Sequence, residues 1–235
     1  TRRLMRVTLT GDELDGFAIE APAASVRLLL PEDGARALVV PEWNGNEFLL
    51  PDGRRPTIRT FTPLRFDPAG RALDVEIVMH GGGAASAWAT AVQPGAPAAI
   101  SGPGRGYVID HHAPAYMLAG DETAIPAMSQ LLDVLPHQVP VRVLVEIAGP
   151  EARCELSTHP RAEVTWCELA SDAPAGEALF EAVRATAIGP DARVWVAGEA
   201  AAVQRIRRLL FEHRGLTRSQ ATVRGYWKLG RRGDD

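Results

Sequence analysis

Four stretches of this 235-residue chain bring together residue types that can do chemistry. In RTFTPLR, an extended backbone puts Arg59, Phe61 and Arg65 on one side and Thr60 and Thr62 on the other. An arginine can clamp a diphosphate. An aromatic ring beside it can pack on a planar ring system whose nitrogens a hydroxyl or amide addresses, which is what a flavin needs from protein. An ordinary strand with a surface side and a core side uses the same residues. The second stretch, VMHGGGAASAW, runs a strand through His80 into Gly81, Gly82 and Gly83 and then opens a helix carrying Ser86 and Trp88. Glycines before a helix N-terminus let bare amides approach a phosphate, and the helix dipole favours its charge. The pattern is neither GxGxxG nor a P-loop, and a tight turn with no ligand is its plain alternative.

The third stretch, GDETAIP, sets Gly120, Asp121, Glu122, Thr123 and Pro126 between a strand and a helix. The fourth, AGEA, does the same with Gly198 and Glu199. These acids argue against a tightly held phosphate, and Asp121 and Glu199 suit the first turn of a helix, where a carboxylate meets the positive end of the dipole. Other chemistries lack their signatures. No GxSxG elbow or HExxH pair is present. His111 and His112 are adjacent, so extended backbone points them apart and they do not chelate one ion together, while His137, His159 and His213 are scattered and expected at the periphery. Cys154 and Cys167 fit neither a disulfide framework nor a CxxC site and are expected as reduced core residues.

The elements around these stretches change character partway along the chain. MRVTLTG, SVRLLLP, ALVVP, NEFLLP, TIRTFTPLRFD, ALDVEIVMH and AAISGPG are short strand-like runs ended by turn residues, which predicts an antiparallel barrel. Leu73, Val75, Ile77 and Met79 alternate with Asp74, Glu76 and Val78 as a half-buried strand does. Beyond the GPGRG cluster at 102–106, strands alternate with helices. Val141 to Ile147 and Val194 to Ala197 are nearly continuous apolar runs, as strands covered on both faces of a parallel sheet are. Val203, Ile206 and Leu210 share one face of the last helix, which Gly215 stops. The expectation is a barrel over residues 1–110 followed by a parallel-sheet α/β domain over residues 111–235.

Composition is that of a globular protein, 46% apolar and 23% charged, with no apolar run long enough to span a bilayer. A cytoplasmic location is expected. The chain opens on Thr rather than Met and enters its first strand almost at once, so upstream residues are expected to be missing from it. Net charge is −4, yet Arg205 to Arg232 holds nine Arg or Lys and a single acid, Glu212. Such a stretch suits an anionic small molecule or simply a solvated helix face, and the acidic remainder argues against nucleic acid.

Taken together, RTFTPLR, VMHGGGAASAWA, AGDETAIPA, WVAGEAAAVQRIRRLL and GYWKLG resemble the siderophore-interacting proteins, a branch of the ferredoxin-reductase-like flavoproteins, in family order from residue 59 to 230. The resemblance implies a flavin-dependent reductase that passes electrons from NAD(P)H through FAD to a ferric siderophore and releases ferrous iron, acting as a monomer or weak dimer. It gives FAD contacts to Arg59, Phe61, Thr62, His80, Gly81, Gly82, Gly83, Ser86 and Trp88, and nicotinamide-nucleotide contacts to Asp121, Glu122, Thr123, Gly198 and Glu199. The catalytic work stays with the cofactors. Arg65, Arg224 and Lys228 are expected at the substrate entrance, with Arg218 nearby. Two departures stand out: Phe61 where the family has Tyr, which removes a hydroxyl from the flavin site, and Gly83-Ala84 where it has Gly-Pro. A 2′-phosphate on the nucleotide calls for arginine near the end of the second strand of the α/β domain, and Arg153 and Arg161 are the candidates. A siderophore-binding protein without catalysis and a related reductase with another acceptor are the alternatives.

Overall fold

In a computed structural model, residues 3–31, 37–79 and 83–230 are described. They fall into two compact units, built on Arg3–Gly106 and Tyr107–Leu229.

In the first unit, β1 (Leu4–Thr10), β2 (Val26–Leu29), β3 (Glu42–Trp43), β4 (Phe48–Leu49), β5 (Ile58–Phe61), β6 (Pro63–Asp67) and β7 (Ala72–Val78) are followed by a helix, α1 (Ala84–Ala91), and by β8 (Ala99–Ser101). Two three-stranded antiparallel sheets form, β1-β7-β6 and β5-β2-β8, and β3-β4 is a separate hairpin. Alternation decides which side chains go in. Along β7 Leu73, Val75 and Ile77 are buried and their neighbours are not. Val26 and Phe61 from one sheet pack with Leu73, Val75 and Phe66 from the other in a shared core, as the walls of a small barrel do. Two details differ from the sequence expectation. ALVVP forms no strand, and Val39 and Val40 stand exposed. TIRTFTPLRFD is not one strand, because the chain turns at Thr62 and passes from one sheet to the other.

In the second unit, β9 (Tyr116–Asp121), α2 (Ile125–Val134), β10 (Val141–Ile147), β11 (Ala162–Glu168), α3 (Glu177–Ala185), β12 (Arg193–Glu199), α4 (Ala200–Arg208) and β13 (Ala221–Trp227) alternate. The sheet is parallel throughout, in the order β11-β10-β9-β12-β13. Period-two alternation sends Met117, Ala119, Val194, Val196 and Val223 to the face covered by α3 and α4, where Val203, Ile206 and Leu210 meet them. Leu118, Val143, Val145 and Trp195 are buried and take the other face by the same alternation. After α4 the chain continues through a π turn, Leu209–His213, to Gly215, whose φ of 67° suits a helix stop. The strand order reverses at β9. Chain growth runs outward through β10 to β11, then returns to β12 and β13, so the ends of β9 and β12 flank the switch point where α/β sheets bind ligands.

Neither cysteine lies in the core. Cys154 and Cys167 are half-buried, Cys167 because β11 is an edge strand with much of its surface open. His159 is not peripheral: it is buried and meets His137 edge-on at 5.9 Å. Among the described residues, no helix is long and apolar enough to cross a membrane, and no three His, Cys, Asp or Glu are grouped to hold a metal ion.

Candidate functional site

The described phosphate and ring contacts predicted for the first unit lie in two places, at the end of β5 with Thr62 and along α1. Thr62 is buried at the crossing point between sheets. Phe61, the last residue of β5, packs its ring against the barrel core, and Arg59 is half-buried with a guanidinium N–H donated to the Ile58 carbonyl at 2.9 Å. Arg65 does not share a face with Arg59. It lies on β6 in the other sheet, 76% exposed, with Asp74 4.0 Å away.

Helix α1 begins at Gly83, whose φ of 99° favours glycine and which carries no side chain to cap the first turn. A helix N-terminus opened by glycine is a place where backbone amides can meet an anion. Ser86 is buried, and the Trp88 indole Nε1 is buried with no hydrogen-bond partner among the described residues. A buried N–H without an acceptor carries a desolvation penalty that a ligand oxygen or nitrogen relieves. These features fit the phosphate and ring acceptors of FAD. His80, Gly81 and Gly82 lie outside the described residues.

In the second unit the predicted residues converge on the switch point. Asp121 ends β9 with its carboxylate buried. Oδ1 accepts from the Thr123 amide at 2.9 Å and hydroxyl at 2.5 Å, and Oδ2 accepts from the Glu199 amide at 2.9 Å and the Trp227 indole N–H at 2.7 Å. Burial pushes its pKa up, against the pull of the donors from Thr123 and Trp227. Glu199 ends β12 and caps α4, accepting from the Ala201 and Ala202 amides at 2.6 and 2.9 Å, while its other oxygen accepts from the Leu229 amide at 3.2 Å. Glu122 accepts from the Ala148 amide at 2.8 Å, beyond the end of β10. Gly198 leaves the space that Asp121 needs: a Cβ there would sit 2.7 Å from Asp121 Oδ2. The carboxylates thus stitch the strand ends and their loops into one rigid edge.

Glu146 and Trp227 belong to this edge and carried no role in the sequence reading. Glu146, buried on β10, accepts from the Gly176 and Leu179 amides at 2.7 and 2.9 Å and so holds the start of α3. A single carboxylate inside the apolar run VRVLVEI was the available signal for it. Trp227 had no such signal, since its indole partner lies 106 positions away. Arg224 is half-buried on β13 and Lys228 is exposed just beyond that strand. Arg153 pairs with Glu168 of β11 at 2.7 Å.

An antiparallel FAD-binding unit followed by a five-stranded parallel unit defines a flavoprotein of the ferredoxin-reductase-like fold. Residues 1–107 match the siderophore-interacting FAD-binding domain and residues 113–230 the siderophore-interacting protein model. The chain belongs to the siderophore-interacting protein family. It is 28% identical to the ferric vibriobactin reductase ViuB of Vibrio cholerae, over 98% of this chain and 86% of that protein. It is 29% identical to the NADPH-dependent ferric-chelate reductase of Escherichia coli, over 94% of this chain and 86% of that protein. The crystal structure of a siderophore utilization protein from T. fusca superposes with a TM-score of 0.80 at 31% identity, covering 98% of this chain and 89% of that one.

Proposed function

We propose that this protein is a cytoplasmic flavin-dependent ferric-siderophore reductase, taking electrons from NAD(P)H and releasing ferrous iron. The observation that carries the reading is the family match across both units, together with relatives named as ferric reductases along nearly the whole chain. Residues 1–110 form its FAD-binding domain and residues 111–235 its NAD(P)H-binding domain. Bound FAD supplies the exchange between a two-electron donor and a one-electron acceptor.

The chain's own residues bind and place the reactants. Arg59 and the start of α1 at Gly83 meet the FAD diphosphate, Thr62 and Phe61 meet its ring, and the Trp88 N–H finds an acceptor there. Ser86 completes this side, with His80, Gly81 and Gly82 assigned to it by the family resemblance alone. Asp121, Glu122 and Glu199 shape the nicotinamide-nucleotide edge by holding backbone amides in place, since their carboxylates are already engaged within the protein, while Thr123 donates to Asp121 and Gly198 leaves it room. Arg65, Arg224 and Lys228 draw the anionic ferric siderophore. One NAD(P)H gives up two electrons and each Fe(III) takes one, so two ferric complexes are reduced per nucleotide oxidised. Iron is then released because hard oxygen donors hold Fe(II) far more weakly than Fe(III).

The visible spectrum of FAD-loaded protein under anaerobic conditions tests the reading. Flavin bands should bleach with NADH or NADPH and return on adding a ferric siderophore. Bleaching without return in ferric siderophore, but with return in a quinone, points to another acceptor. Protein that binds the siderophore yet takes up no flavin is a binder without catalysis.

A further inference from the structure

Trp227 combines exposure with unusually firm attachment. Its indole is 37% exposed at the carboxyl end of β13, yet its N–H is donated to the buried Asp121 carboxylate at 2.7 Å. No cationic side chain hydrogen-bonds Asp121 among the described residues, so this anion is held by neutral donors alone, a costly arrangement for merely tethering a surface ring. The register explains how the ring reaches it. A bulge between Gly198 and Glu199 sets Glu199 opposite Trp227, with Gly198 opposite Gly225, and such irregularities re-aim side chains. Two glycines thus face each other below the indole, and β12, between β9 and β13, carries no side chain at 198 to obstruct the path to Asp121. Two residues on, the Leu229 amide binds Glu199, so the backbone after Trp227 is tied to the same strand end. The indole is therefore fixed in orientation beside a bare backbone strip at the switch point.

We infer that Trp227 is the platform on which the nicotinamide ring of the dinucleotide lies, and that Asp121 is a positioning residue that locks the plane of this platform. The inference rests on the reductase reading and deepens it. A planar ring is the ligand this geometry suits, because a fixed indole face offers stacking and no charge for a phosphate. The oxidised nicotinamide ring is a cation, and an indole whose N–H is bound by a carboxylate favours a cation over its face.

Equilibrium binding to the FAD-loaded protein, measured by titration calorimetry, separates the ring from the rest of the nucleotide. The ligands are NADP+ and 2′-phospho-ADP-ribose, with NAD+ and ADP-ribose in parallel; the second of each pair lacks nicotinamide. Trp227→Ala is expected to weaken the dinucleotide about tenfold and leave the ribose analogue unchanged. Trp227→Phe, which keeps a ring but loses the N–H, should weaken the dinucleotide about threefold, and Asp121→Asn, which also deprives the Glu199 amide of its acceptor, should weaken it at least as much. Should Trp227→Ala fail to fold, Trp227→Phe decides by the same comparison. Equal weakening of both ligands would mean that Trp227 only supports the fold, and unchanged dinucleotide binding would mean that the ring lies elsewhere; either overturns the inference. If wild-type protein carries FAD but neither NADH nor NADPH bleaches it, the reductase reading and this inference fall together, whereas bleaching in wild type with either of the previous results removes the inference alone.

Discussion

Gly198 and Asp121 are matched in shape: the glycine's missing side chain is the space that the carboxylate fills, and a Cβ would come within 2.7 Å of Oδ2. Gly198→Ala must therefore move Asp121, which releases the Glu199 amide and the Trp227 indole together. We expect a loss of about 1–3 kcal/mol in stability, from buried groups left without partners, and weaker dinucleotide binding. FAD content should stay at the wild-type level. Chemical denaturation and NADP+ titration check both; an alanine variant with wild-type stability would mean the edge adapts more freely than its packing indicates.

Glu146 makes stability depend on pH in an uncommon direction. Burial pushes its carboxyl up from its ordinary value of 4.5, only partly offset by the Leu179 and Gly176 amides. The native chain thus holds this proton more tightly than the unfolded chain does. Its contribution therefore grows as pH falls from the raised native value towards 4.5 and is lost as pH rises through that window. Glu146→Gln places an NH2 against a backbone N–H and should cost about 1–3 kcal/mol at neutral pH. Since glutamine does not titrate, the gap to wild type should widen on acidification. Urea midpoints of both proteins between neutrality and pH 4.5 measure it, and a gap that narrows would sink the assignment.

Trp88 offers a test on the flavin side. Its indole N–H has no acceptor within the described protein, so Trp88→Phe removes an unsatisfied donor from the apoprotein and a hydrogen bond from the FAD complex. Apoprotein stability should hold or rise. FAD affinity should fall roughly 3–10-fold, the range of one ordinary hydrogen bond. Flavin fluorescence titration would show this, and unaltered FAD affinity would remove Trp88 from the site.

Charge at the substrate side is tested by reversing Arg224 and Lys228 to Glu. The KM for an anionic ferric siderophore should rise by about tenfold at low ionic strength, with the difference shrinking as salt is added. Steady-state rates at several salt concentrations measure this. A KM that does not respond would assign these cations to the solvated surface.

How much of this was legible follows from the range of each interaction. Strand identity in β7, β10 and β12 was readable because alternation or a continuous apolar run is a local pattern, and the motif order from Arg59 to the GYWKLG segment carried the family. The break at Thr62 was not readable, because RTFTPLR alternates smoothly and only the packing of two sheets on one core forces the chain to cross there. ALVVP shows the converse: its apolar residues favour a strand, but Val39 and Val40 stay exposed and form none.

The amino-acid sequence by itself determined the two-part architecture, the glycine at the start of α1 and the placing of acids at the ends of β9 and β12, since each depends on neighbours within a few positions. What those acids do was decided only by the tertiary structure. Asp121 could have been a ligand contact or a helix cap; the parallel pairing of β9 with β12 and of β12 with β13 brings Glu199 and Trp227 to it across 78 and 106 positions and makes it the tie between three strands. Parallel neighbours are joined by long crossovers, so their carboxyl ends meet only after the whole sheet has formed.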